Sequence, residues 1–314
     1  MISVVKKDLL GLYGVPAEEL LRILALAHDM KKIVLSDHKK TSDLAGKSVI
    51  TLFYENSTRT RMSFEMAAKY MSASAANMSA SASSVQKGES LIDTGRTLDR
   101  MGTDVIAIRH PMTAAPRILA GHVKASVINA GDGINEHPTQ ALLDMLTMQE
   151  YFGDFKGLHV AIVGDIYHSR VARSNLFGLT QLGAQVTLCG PSTLMPKGIE
   201  KLGARVVPDE KEAVRQADVV MALRIQKERQ KGGLFPSVSE YNSRCGVSHE
   251  LLSYAQKGAL VMHPGPINRG IEINSSVADS DVSKIDEQVT SGISVRMALL
   301  KILIEGGIRH EFAD

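Results

Sequence analysis

The chain has 314 residues, of which 44% are hydrophobic and 22% charged, and its formal net charge is +2. This is the balance of a soluble globular protein long enough for two domains. A net charge so close to zero gives no basic field for nucleic acid, and no apolar run approaches the roughly 20 residues of a membrane helix.

The first residues, Met1-Ile2-Ser3-Val4-Val5-Lys6-Lys7, lack the charged, apolar, small-residue order of a secretory leader, so a cytoplasmic location is expected. Pro16 followed by Glu18-Glu19-Leu20-Leu21 opens a helix running to about Lys32. Val49 to Phe53 is a strand, and a helix after Arg61 carries Phe64, Ala67, Ala68 and Met71 on one face. Between them lies Tyr54-Glu55-Asn56-Ser57-Thr58-Arg59-Thr60. A strand here delivers hydroxyls and guanidinium groups to a helix N-terminus, where free N–H groups and the helix dipole already favour an anion. Ser57 or Arg59 alone would read as an ordinary cap or a solvated arginine, but the cluster reads as a phosphate cradle.

Ala75 to Ser84 is small and polar, a weak strand leading into a loop. Asp104 to Ile108 and Ser126 to Asn129 are buried strands of the same half, and Pro138 to Phe152 is a helix bridging the halves. The second half restarts with the strand Leu158 to Gly164, a helix over Ser169 to Leu182, and strands at 186–189, 218–221 and 259–262. A last helix, about Ser291 to Glu305, is expected to pack back on the first domain. The expected fold is therefore α/β, with two parallel sheets flanked by helices. Its predicted parts are a first domain over 1–137, a bridging helix over 138–152, a second domain over 153–289, and a C-terminal segment over 290–314. Two cysteines, Cys189 and Cys245, form no Cys-x-x-Cys and no disulfide framework.

Some local patterns lead nowhere. Gly164-Asp165-Ile166-Tyr167-His168-Ser169-Arg170 follows a strand but lacks the Gly-x-Gly-x-x-Gly of a dinucleotide site. No His-Glu-x-x-His occurs, and Asp279-Ser280-Asp281 reads as a surface turn, so neither metal nor cofactor is expected.

Residues 53–60 fit Phe-x-Glu-x-Ser-Thr-Arg-Thr, and on this motif the chain resembles the aspartate and ornithine carbamoyltransferases. Arg109-His110-Pro111, His137-Pro138-Thr139-Gln140 and the loop Ser83 to Ser90 follow in that family's order. The resemblance implies an active site in the cleft between two domains and a homotrimer with shared sites. Ser83 and Lys87 would then come from a neighbouring chain, although Lys87 read alone is a solvated loop lysine. Carbamoyl phosphate would be held by Ser57, Thr58, Arg59, Thr60, Ser83, Arg109, His137, Gln140, Gly265 and Pro266. Arg109, His137 and Thr60 would face the carbonyl oxygen, and the fork of Arg59 would grip the phosphate. L-aspartate would be bound by Lys87, Arg170, Arg224 and Gln226.

The segment Leu223 to Arg229 matches the aspartate branch. His263-Pro264-Gly265-Pro266 replaces the His-Cys-Leu-Pro expected of an ornithine enzyme. The implied reaction makes N-carbamoyl-L-aspartate in pyrimidine synthesis. A transcarbamylase for another amino acid, a non-catalytic assembly subunit and a nucleotide-dependent oxidoreductase are the alternatives. The Pro-Gly-Pro segment differs from the His-Pro-Leu-Pro of chains that work with separate regulatory subunits. A bare trimer and a complex with a dihydroorotase-like protein both stay open.

Overall fold

A computed structural model of the chain describes residues 2–79, 88–226 and 237–312. The chain forms two compact units, Met1–Leu146 with Thr290–Asp314, and Thr147–Val289.

The first unit is built on a four-stranded sheet, β2 (Ser48–Phe53), β3 (Ser74–Ser79), β4 (Val105–His110) and β5 (Ser126–Asp132). All its pairings are parallel and its strand order is β3-β2-β4-β5. Parallel strands need covered faces, which explains why Leu52, Ile106, Ile108 and Val127 are fully buried. Three helices connect them: α2 (Thr58–Tyr70), α3 (Leu91–Arg100) and α4 (Ala115–Ala120). The long α1 (Ala17–Leu35) precedes the sheet and buries Leu20, Ile23, Leu24, Ala27 and Met30, spaced as one apolar face requires. A separate ribbon pairs β1 (Ile2–Lys6) with β11 (Ile308–Phe312) in antiparallel register.

The second unit repeats the plan with five strands, β6 (His159–Val163), β7 (Gln185–Cys189), β8 (Arg205–Val207), β9 (Val219–Ala222) and β10 (Leu260–Met262). Their order is β10-β9-β6-β7-β8, again wholly parallel. Helix α6 (Arg170–Gln181) follows β6, and α7 (Glu210–Val214) follows β8. The helices α8 (Val238–Cys245), α9 (His249–Leu252) and α10 (Ser275–Ala278) complete the unit. Cys189, Cys245, Tyr241 and Val261 share one core cluster.

Two helices run through the division of the chain. The predicted bridge is α5 (Pro138–Phe152), and the division falls inside it, after Leu146. Helix α11 (Ile285–Glu305) begins six residues before the predicted Ser291, because Asp286 and Glu287 supply the acidic first turn that a helix N-terminus favours. No helix among the described residues is long and apolar enough to cross a membrane.

Candidate active site

Both sheets reverse their winding direction once, and that reversal gathers the predicted residues. In the first unit the chain steps from β2 outward to β3, then returns past β2 to β4. The loops leaving the carboxyl ends of β2 and β4 therefore diverge, which opens a crevice suited to a ligand. Phe53 and Arg109 stand in register at those ends. The second unit does the same between β6 and β9, with Val163 opposite Ala222.

At the first crevice, Ser57 is the N-cap of α2 with extended backbone (φ −159°, ψ 94°) and makes no side-chain cap bond. The first turn contains no acid but two arginines, Arg59 and Arg61, at the positive end of the helix dipole. Cations are disfavoured there. An anion would relieve that arrangement and satisfy the free N–H groups. Thr58 and Arg59 are exposed, Ser57 is half-buried and Thr60 is buried.

Arg109 reaches the same place from β4. Its Nε donates to Glu55 Oε2 at 3.1 Å, and its carbonyl accepts from Tyr54 N–H at 2.8 Å. Glu55 thus aims the guanidinium, a role that sequence reading missed although the residue lies inside the motif. His110 packs against Tyr54 with ring centroids 4.5 Å apart. Burial holds the His110 imidazole below its ordinary pKa, with Glu55 opposing.

His137 follows β5 and is buried, as is Gln140. The carbonyl of His137 accepts from Gln140 N–H (3.0 Å) and Ala141 N–H (3.2 Å), so it caps α5. Beneath it lies a buried polar frame. Asp132 Oδ1 accepts from Asn129 Nδ2 (2.8 Å) and Glu136 N–H (3.1 Å), and Glu136 Oε2 accepts from Leu12 N–H at 2.7 Å. Gly133 has φ +48°, and a Cβ there would stand 2.7 Å from Thr113 Oγ1, so the turn needs glycine.

At the second crevice, Ser169 Oγ accepts from Ala172 N–H (3.1 Å) and starts α6 with Arg170, which is buried. Gly164 has φ +132°, and a Cβ there would meet Leu223 O at 2.8 Å. The backbones after β6 and β9 approach closely only because that residue is glycine. Asp165 joins the two loops by accepting from His168 N–H at 3.2 Å and from Gln226 N–H at 3.3 Å. Arg224 Nη2 donates to Gln226 Oε1 at 3.0 Å.

After β10, buried His263 shapes the Pro-Gly-Pro turn. Its Nδ1 accepts from Gly265 N–H (2.8 Å), so Nε2 carries the proton toward Glu272 Oε1 at 3.1 Å. Gly265 is half-buried and Pro266 exposed.

Residues 7–150 match the carbamoyl-P binding domain, and residues 156–303 the Asp/Orn binding domain, of aspartate/ornithine carbamoyltransferase. The chain belongs to the aspartate/ornithine carbamoyltransferase family. It is 61% identical over 98% of both chains to the aspartate carbamoyltransferase catalytic subunit of Ruminiclostridium cellulolyticum. It is 63% identical to that of Acetivibrio thermocellus over 95% of each chain. Among solved structures, the Pyrococcus furiosus ornithine carbamoyltransferase is 30% identical with a TM-score of 0.84, covering 96% of this chain and 97% of its own. Aspartate transcarbamoylase from Trypanosoma cruzi, solved with carbamoyl phosphate, is 28% identical with a TM-score of 0.83, covering 94% and 95%. Both branches of the family fit the fold equally well, so the fold does not choose the amine.

Within the carbamoyltransferase frame, Ser57, Thr58, Arg59 and Thr60 follow β2 and Arg109 ends β4 at one switch point, with His137 and Gln140 after the adjoining strand. Arg170 follows β6, and Arg224 and Gln226 follow β9, at the other, with Gly265 and Pro266 after the strand beside it. Ser83, Lys87 and the end of the segment Leu223 to Arg229 lie outside the described residues. Among the described residues no group of three or more His, Cys, Asp or Glu side chains could hold a metal ion.

Proposed function

We infer that the chain is the catalytic chain of an aspartate carbamoyltransferase. It transfers the carbamoyl group of carbamoyl phosphate to the α-amine of L-aspartate, giving N-carbamoyl-L-aspartate and phosphate, an early step in pyrimidine synthesis. The observation that carries the choice of amine is the arginine pair after β6 and β9. Arg170 and Arg224 suit a dicarboxylate through charge-assisted forks and would repel the ammonium side chain of ornithine. The near full-length relatives at 61% and 63% identity support the same branch.

In this reading Ser57, Thr58 and Arg59 hold the phosphate, joined by Ser83 and Lys87 of a neighbouring chain in a homotrimer. Thr60, Arg109 and His137 donate to the carbonyl oxygen, and Gln140 accepts from the carbamoyl NH₂. The carbonyls of Gly265 and Pro266 orient the NH₂ or the incoming amine, and Gln226 assists Arg224. The deprotonated amine attacks the carbonyl carbon and forms the new C–N bond while the carbonyl π pair moves to oxygen. That oxyanion then collapses. The C–O bond to phosphate breaks, its electron pair leaves with phosphate, and a phosphate oxygen takes the amine proton. Rate comes from orientation and from donors already aimed at the developing charge, with no covalent intermediate on the protein and no cofactor.

The purified protein is incubated with carbamoyl phosphate and either aspartate or ornithine, and the products are identified by mass spectrometry alongside phosphate release. Carbamoyl-aspartate formed stoichiometrically with phosphate is the expected result. Citrulline as the main product would move the chain to the ornithine branch, and no turnover with either amine would make it a non-catalytic homologue.

A further inference from the structure

Gln140 is held from below. Its Nε2 donates to Asp144 Oδ1 at 3.0 Å, one turn further along α5, and Asp144 is completely buried. A carboxylate only accepts, so the amide must turn its NH₂ toward Asp144 and leave Oε1 for another donor. A buried carboxylate is costly without a counter-charge. Arg296 of α11, also buried, is a cation on which Asp144 acts electrostatically, while its hydrogen bonds go to other partners. Its Nη1 donates to Ser63 Oγ (3.0 Å) on α2 and Gly292 O (2.8 Å), and its Nη2 to Thr139 Oγ1 (3.3 Å) on α5. The guanidinium lies 5.0 Å from the centre of the Phe64 ring. Gly292 makes the space, since a Cβ there would stand 2.7 Å from Nη1. Burial pulls the Arg296 guanidinium down to about 9, with Asp144 opposing and Arg109 adding to the fall. The group stays a cation at neutral pH.

We propose that Asp144 and Arg296 are a buried positioning pair that fixes which way the Gln140 amide faces, making the site selective for an acyl phosphate that carries an amino group. The proposal rests on the reading of Gln140 as the acceptor for the carbamoyl NH₂. With Oε1 forced outward, a donor on the substrate is rewarded. A methyl group in its place leaves that oxygen unpaired. In the absence of the pair, the amide rotates freely between two hands and the preference is lost.

Acetyl phosphate differs from carbamoyl phosphate by CH₃ in place of NH₂, so the ratio of their affinities in the intact protein is the readout. An Asp144→Asn side chain can donate or accept. It should weaken carbamoyl phosphate by about tenfold or more and acetyl phosphate by less than about twofold. The double variant Asp144→Asn with Arg296→Met removes both buried charges, so it guards against misfolding from an unpaired guanidinium and should show the same collapsed ratio. An unchanged ratio in either folded variant overturns the pair's role. Gln140→Ala separates the two readings. If it also keeps the ratio, Gln140 is not the carbamoyl acceptor. If it loses the ratio while the Asp144 variants keep it, only the positioning pair fails. In the unsubstituted protein, the Gln140 side-chain NH₂, followed by NMR with ¹⁵N-glutamine, should already resist hydrogen exchange without ligand. Free exchange there would sink the proposal even if no variant folds.

Discussion

Arg109 owes its direction to Glu55, 54 residues earlier in the chain, and the pair is the sharpest case of a site residue that a motif contains without explaining. The two side chains are mostly withdrawn from water, so the cost of desolvating both charges offsets much of their attraction, and the pair's net contribution to stability is small, on the order of 1 kcal/mol. Its value is geometric. Glu55→Gln should lower kcat by about tenfold, equivalent to about 1.4 kcal/mol of lost transition-state stabilisation, while leaving the melting temperature nearly unchanged. A steady-state assay beside a thermal melt checks this, and unaltered kcat would show that Arg109 needs no such aim. Hydroxyls and arginines at a strand-to-helix turn were legible because anion binding is a local chemistry of a helix N-terminus. Glu55, Asp144 and Arg296 were not, since each acts through a partner chosen by strand register or helix packing. The Arg296–Thr139 contact spans 157 residues, and no short pattern encodes it.

Elements rich in β-branched residues were readable from their composition, as with Val-Ile-Thr-Leu in β2 and Val-Ala-Ile-Val in β6. The edge strand β3 is Ser-Ala-Ala-Asn-Met-Ser and gives only a faint signal, because pairing with β2 rather than propensity makes it a strand. The ribbon of β1 and β11 went unread, since each strand is stabilised by a partner at the opposite end of the chain. That ribbon carries a titrating group. His310 lies in register with Val4 and is buried. Burial, helped by Lys6 and Arg117 against Glu19, lowers its imidazole to about 4. An unfolded histidine takes its proton near 6.5, so between those values the unfolded chain binds more protons. Stability therefore falls as pH drops through that window, by up to about 1.4 kcal/mol per pH unit from this one group. Melting temperatures from pH 7 to 5 should fall less steeply for His310→Leu than for the parent. Parallel curves would remove His310 from the account.

At the scale of the molecule, one device is used twice. Each parallel sheet changes direction once, and each change places arginines at the carboxyl ends of strands facing one another in register. The alternation of strands and helices announced two such sheets, but the positions of the reversals depended on strand order, which a lone sequence does not state. The proposed homotrimer predicts a result no single chain could give. Arg59→Ala and Lys87→Ala chains, each inactive alone, should regain part of their activity when mixed and allowed to exchange subunits. Recovery would come from sites that draw Arg59 and Lys87 from unsubstituted positions on different chains. No recovery despite exchange verified by mass would count against sharing.

The first unit is assembled from both ends of the chain, with the second unit inserted between them. On the ribosome this inverts the order of completion. The second unit has all its residues once Val289 has emerged, whereas the first still lacks β11 and all of α11 from Thr290 onward. Arg296, which ties α2 to α5, is made only after the whole second unit. A nascent chain can thus finish its second unit while α2 and α5 of the first still wait for the guanidinium that ties them together.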